Sequence, residues 1–300
     1  MLVFMASMLG IVVADNLLLV YVFWAGTSFS SYLLIGFLHD KPAARGSAQQ
    51  ALLITVGGEL AMLAGFVMLG LVGGSFEIST LLGRGDAVRA DPLYVPLLVL
   101  ILAGALTKSA QFPFHFWLPN AMTAPAPVSA YLHSATMVKA GVFLIARLSP
   151  ILAGTPEWLL ILVAAGAATL LLGAVLALRA GEVKRVLAYS TLSALGMITL
   201  LLGIGGEEAV TAAIVFLFGH ALYKGALFLF AGAGRSARPR PFWRRYRWPA
   251  CCPSSASSAR SSSSRLSSKC PTWPASPCSR WRWRQTRCSW RSPFGSACGR

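Results

Sequence analysis

Hydrophobic positions come in long blocks along the first 233 residues, separated by short polar stretches, at 1–14, 16–38, 48–73, 93–118, 127–148, 157–179, 185–204 and 208–233. A helix needs about 20 mainly apolar residues to cross the hydrocarbon core of a bilayer. Lipid offers a free backbone amide no partner, so such blocks become helices. The pattern predicts an all-α, polytopic transmembrane helix bundle of about eight spans over residues 1–233. One block cannot be continuous. Pro113 and Pro119 each remove a backbone donor and clash with the preceding turn, so the helix from Leu93 to Leu118 is expected to be discontinuous, with Lys108 just before the break. Pro125 and Pro127 suit the first turn of a new helix, which would carry His133 and Lys139. Residues 74–92 read as a surface loop holding a short amphipathic helix before Gly83, and the small residues Ala164 to Ala168 permit close helix packing.

The apolar blocks contain ionisable residues, which are costly at membrane depth and by default face a protein-lined or wet interior along an ion or proton path. Five stand out as a proton-relay set: Lys108, His133, Lys139, His220 and Lys224. His220 and Lys224 are four apart and so share a helix face. His133 has a plainer alternative, a hydrogen bond to a neighbouring helix. His115, beside the break, reads as an interfacial group, and Lys184 and Arg185 as anchors at the membrane surface. Ser190, Thr191 and Ser193 are candidates to hydrogen-bond within the bundle or to water.

Composition divides the chain near Gly234. The whole carries a net charge of +16, with mean hydropathy +0.64. Before the division stand eleven basic residues and all ten acidic ones, a net of +1; after it come fifteen basic residues and all six cysteines, with no acid. Loop charges set orientation. Lys41, Arg45, Arg179, Lys184 and Arg185 gather on one side, read as cytoplasmic, while Arg84, Arg89 and Arg147 mix with acids on the other. Residues 234–300, rich in Ser, Arg, Trp and Pro, are expected to form a disordered basic tail that, taken literally, would adhere to anionic lipid or nucleic acid. An out-of-frame reading of a G+C-rich gene from codon 234 explains the same composition, and on that account no nucleic-acid partner is expected. The other frames downstream of that codon test it. The six cysteines lack paired CxxC spacing and the tail has no histidine, so no metal site is expected. No nucleotide or flavin motif is visible, so no cofactor is expected either. The opening residues lack a basic n-region, against a cleaved leader.

Two stretches carry a family resemblance: Lys108-Ser-Ala-Gln-Phe-Pro-Phe-His-Phe-Trp-Leu-Pro-Asn-Ala-Met, and Pro127-Val-Ser-Ala-Tyr-Leu-His-Ser-Ala-Thr-Met-Val-Lys-Ala-Gly. They resemble the antiporter-like membrane subunits, which include the A-type subunit of the Mrp-type Na+/H+ antiporters and chain 5 of the proton-pumping NADH dehydrogenase. Phe112-Pro-Phe-His-Phe-Trp and Lys139 after Thr136-Met-Val lean toward the Mrp side. Gly219-His-Ala-Leu-Tyr-Lys224 and Glu182-Val-Lys-Arg-Val-Leu-Ala-Tyr-Ser match further family segments. The resemblance implies helices preceding residue 1 and membership of a complex of several subunits in the inner (plasma) membrane. It also implies other antiporter-complex subunits, the lipid bilayer, protons and Na+ as partners, and a transporter rather than an enzyme. Two alternatives stay open: the proton-pumping membrane subunit of an NADH:quinone oxidoreductase, and an inactive truncated product.

One departure bears on the chemistry. The family pattern places Glu after the tryptophan of its fifth helix, where this chain has Trp24-Ala25. In the family that glutamate is the switching partner of the lysine matched by Lys108, so its loss puts an intact path in doubt. Glu59 is an unexpected acid in mid-span. It either substitutes for the missing carboxylate, snorkels to the surface, or marks a sequence error.

Overall fold

The structure, a computed structural model, describes residues 1–233. The expectations of a disordered basic tail and of a frame change over residues 234–300 fall outside the described residues. Those described fold into helices: α1 (Leu2–Val13), α2 (Leu17–Ile35), α3 (Pro42–Gly73), α4 (Ile78–Leu82), α5 (Gly85–Ala90), α6 (Tyr94–Lys108), α7 (Trp117–Asn120), α8 (Ala126–Ser129), α9 (Met137–Leu152), α10 (Pro156–Arg179), α11 (Val183–Ile204) and α12 (Glu207–Ala233). Asn16 caps α2 by accepting from the amides of Leu18 and Leu19, at 2.9 and 3.4 Å. Thr155 caps α10, whose first turn holds Pro156 and Glu157 and whose last holds Arg179, charges matched to the helix dipole.

Six of the eight expected spans are helices long and apolar enough to cross a membrane, counting residues 126–152 as one. The other two are shorter. At about 1.5 Å per residue, α1 rises about 18 Å and α6 about 22 Å, against a core of about 30 Å. For α6 the cause is the expected break: the helix ends at Lys108, Ala110 takes a left-handed backbone (φ 51°), and helix resumes only at Trp117.

Helix α3 packs along α6, and α10 along α11, through glycines that bring backbones together. A Cβ at Gly104 would lie 2.8 Å from the Gly58 carbonyl oxygen, and one at Gly166 2.7 Å from the Leu200 amide nitrogen. At the acidic end of the bundle, Arg147 on α9 holds the end of α1 by donating to the carbonyls of Ile11 (3.1 Å) and Val12 (3.2 Å). The loop 74–92 forms α4 and α5, with Asp15 accepting from Ser79.

Sequence periodicity gave no hint of the segment between α8 and α9. Residues Ala130–Ala135 form a π-helical turn, closed at Thr136 (φ −126°, ψ −79°). The Thr136 hydroxyl donates to the Tyr131 carbonyl five residues back, at 2.7 Å. Such a turn widens the helix by one residue and re-aims the side chains it carries. Here one of them is His133.

Candidate functional site

All five relay candidates are buried: Lys108, His133 and His220 are 0% exposed, Lys224 3% and Lys139 4%. They fall into three groups. The first surrounds Lys108, at the last residue of α6. Its ammonium donates to Glu59 Oε1 (3.0 Å), to the Trp24 carbonyl (3.2 Å) and to the Ser28 hydroxyl, and it lies 5.2 Å from the centre of the Trp24 ring. Ser28 in turn donates to Glu59 Oε1. Of the three readings left open for Glu59, surface snorkelling is excluded, since the residue is 3% exposed and paired to Lys108.

The second group centres on His133 in the π-helical turn. The Trp117 ring stands 6.2 Å from the His133 ring, and Trp117 Nε1 donates to the Thr107 carbonyl (3.0 Å), next to Lys108. Lys184 acts electrostatically on His133 from the start of α11. The expectation that Lys184 is a surface anchor does not hold. It is 6% exposed, and its ammonium donates to the Ala124 carbonyl at 2.9 Å. Arg185 does fit that role, its side chain 58% exposed and 3.5 Å from Glu182.

The third group joins α9, α11 and α12. Lys139 donates to the Ser134 carbonyl, and Lys224 donates to the Ser190 hydroxyl. The charge of Lys224 acts on Lys139, and the charges of both lysines act on His220. Helix α12 has a narrow buried stripe of Ala213, His220, Lys224 and Phe228, so the shared face expected for His220 and Lys224 is the face turned inward. Ser134 follows His133 directly, which makes the second and third groups contiguous along the chain.

Several polar atoms of these groups have no protein partner among the described residues. Both ring nitrogens of His133 and of His220 are buried without a hydrogen-bond partner among the described residues, as are Ser109 Oγ and Gln111 Oε1. Buried polar atoms without protein partners are the usual binding points of internal water. Toward the basic end, an open cavity of about 560 Å³ reaches the second group, lined by Gln50, Asn120, Thr123, Glu182, Lys184 and Arg185 among others. His115 lies half-buried in the break, its ring 6.1 Å from Phe112. The described residues hold no cluster of three or more His, Cys, Asp or Glu side chains that could bind a metal. Sequence reasoning missed Ser28, Trp117 and the burial of Lys184. Seryl and tryptophan side chains have no intrinsic signal, and a lysine at a helix start looks the same whether it bends inward or outward.

Known proteins resemble this chain. A Rhizobium meliloti protein named as a probable K(+)/H(+) antiporter A/B subunit is 55% identical over 231 residues, covering 77% of this chain and 23% of its own length. The A-type Na(+)/H(+) antiporter subunit of Alkalihalophilus pseudofirmus is 49% identical over 246 residues, with 77% and 31% covered. Among solved structures, the Mrp complex from Dietzia sp. DQ12-45-1b matches with a TM-score of 0.75 at 41% identity, covering 79% of this chain and 26% of that one. An archaeal respiratory complex, the membrane-bound sulfane sulfur reductase, matches with a TM-score of 0.71 at 25% identity, covering 78% of this chain and 48% of that one. The chain thus spans about a quarter to a third of the length of the antiporter relatives it matches. The family described as NADH:quinone oxidoreductase/Mrp antiporter, transmembrane, matches residues 14–241, which takes in the whole buried Lys/His set. With a multi-pass helical fold, a helix broken after Lys108 and that match over most of its length, the chain belongs to the NADH:quinone oxidoreductase/Mrp antiporter membrane family.

Proposed function

We propose that the chain is the proton-translocating part of a multi-subunit monovalent cation/proton antiporter of the plasma membrane. Protons pass laterally along Lys108, His133, Lys139, His220 and Lys224. The observation that carries this reading is the third group: two lysines and a histidine, buried on α9 and α12, both of which pack against α11, with both histidine nitrogens lacking a protein partner among the described residues. Like charges at such range lower each other's hold on a proton, so protonating one member favours release from the next. The histidine ring, with two nitrogens, takes a proton on one side and gives it up on the other. The open cavity beside Lys184 supplies access to water from the basic end. Na+ is the cation expected from the resemblance, and relatives named for Na(+) and for K(+) both support a monovalent cation. The antiporter reading is favoured over a redox-complex subunit, because the relatives at 55% and 49% identity carry antiporter names and the respiratory neighbour stands at 25%.

The test is antiport in everted membrane vesicles from a host lacking its own antiporters, with the chain expressed beside the other genes of its complex. Collapse of a pH gradient on adding Na+ or K+ is read by a fluorescent amine. Lys139→Ala and Lys224→Ala are each expected to lower the rate at least tenfold with normal amounts of the protein in the membrane. Full rates in both variants would refute the relay. No cation-dependent collapse with the unaltered chain would leave the inactive-product alternative standing.

A further inference from the structure

Four lysines are buried among the helices: Lys108, Lys139, Lys184 and Lys224. The chain has ten acidic residues, all among the described positions, and only Glu59 is buried. That one buried carboxylate pairs with Lys108. We propose that Glu59 on α3 is the working counter-charge of the Lys108 proton site, and that positions 25 and 59 are interchangeable places for that one carboxylate.

The geometry around the ammonium supports both halves. An ammonium has three donors and no acceptor. Those of Lys108 meet Glu59 Oε1, the Trp24 carbonyl and the Ser28 hydroxyl, so among the described residues its polar contacts come from α2 and α3. A buried charge left unpaired is strongly destabilising, and among the described residues Glu59 is the only negative charge in contact with this one. Ser28 links the two helices: its oxygen accepts from Lys108 while its hydrogen goes to Glu59, so a proton moving between ammonium and carboxylate has a direct contact and a bridged one. Position 25 lies three residues before Ser28 on α2 and shares its face. A carboxylate there would approach the same ammonium from the helix that already supplies Trp24 and Ser28. Ala25 itself offers the lysine nothing polar, so in this chain the charge comes across from α3. Glycine at position 58 makes the crossing short enough: a Cβ there would stand 1.9 Å from Thr107 Oγ1.

This inference rests on the relay reading for its functional consequence, and the experiment separates the two. In the same vesicle assay, with the full chain in its complex and protein amounts checked by immunoblot, Glu59→Gln is expected to lower antiport at least tenfold. Glu59→Asp keeps a measurable part of it. The decisive variant is Ala25→Glu/Glu59→Gln, expected to recover at least half of the unaltered rate, and of the protein amount should Glu59→Gln have reduced it. Full activity in Glu59→Gln, or a double variant that recovers neither rate nor amount, overturns the proposal. Lys108→Ala distinguishes the failures: full flux in that variant condemns the relay itself, whereas loss of flux in Lys108→Ala beside full flux in Glu59→Gln condemns only the role given to Glu59.

Discussion

Placing a methyl group at Gly58 tests how tightly the α3–α6 crossing controls the ion pair. The Cβ of Gly58→Ala would stand 1.9 Å from Thr107 Oγ1 and 2.8 Å from Thr107 Cβ and Cγ2, where ordinary contact begins at 3.4 Å, so the two helices must give way by about 1.5 Å. Thr107 cannot rotate aside freely. Its side chain is stiff, and its hydroxyl already donates to the Gly104 carbonyl at 2.9 Å. Overpacking of this kind costs about 1–3 kcal/mol. The displaced residues neighbour Glu59 and Lys108, and stretching their 3.0 Å contact toward roughly 4.5 Å removes about 2 kcal/mol of attraction at an effective dielectric of about 20. The expected loss is about 3–5 kcal/mol, read by denaturant titration in mixed micelles followed by circular dichroism. Thr107→Ala removes the two atoms beyond Cβ and leaves an overlap of about 0.6 Å, so Gly58→Ala/Thr107→Ala should regain at least half of the loss. A Gly58→Ala cost under about 0.5 kcal/mol, within the range of a neutral surface change, or a cost untouched by Thr107→Ala, would refute the reasoning.

Gly141→Ala should be worse still, since its Cβ would fall 2.0 Å from the Ala105 carbonyl oxygen, a backbone atom, and 2.2 Å from Ser109 Oγ, whereas Gly219→Ala meets no atom of the described residues within 4 Å and should be neutral. The same titration checks the pair, and equal effects would count against the α6–α9 contact. Arg147→Ala should raise hydrogen exchange across α1 at least tenfold by removing its two carbonyl contacts, while Asp15→Ala, which loses a 3.9 Å contact to Arg147 and its hydrogen bonds from Ser79 but no bond to α1, should change it much less. Unchanged exchange in Arg147→Ala would remove the tether. Asn120→Cys at the open cavity and Asp86→Cys at the other end should react with a membrane-impermeant maleimide from opposite sides; labelling of both from one side would contradict the arrangement of the helices.

The sequence by itself determined that this is a bundle of apolar helices, because lipid leaves a backbone no other way to satisfy its amides, and that one helix must break beyond Lys108, because Pro113 cannot continue it. Composition and spacing also put His220 and Lys224 on one face of α12, since four residues make about one helical turn. Other features had no linear signature. The π-helical turn under His133 arises from one extra residue in a helix whose polarity pattern is unaltered. Glu59 read as an isolated acid because its partner is 49 residues away, and Lys184 read as an anchor because inward and outward lysines look alike on paper. Charge pairing across helices is a property of distance in space. Only the close crossing of α3 and α6 over Gly58 decided that the buried carboxylate and the buried ammonium meet.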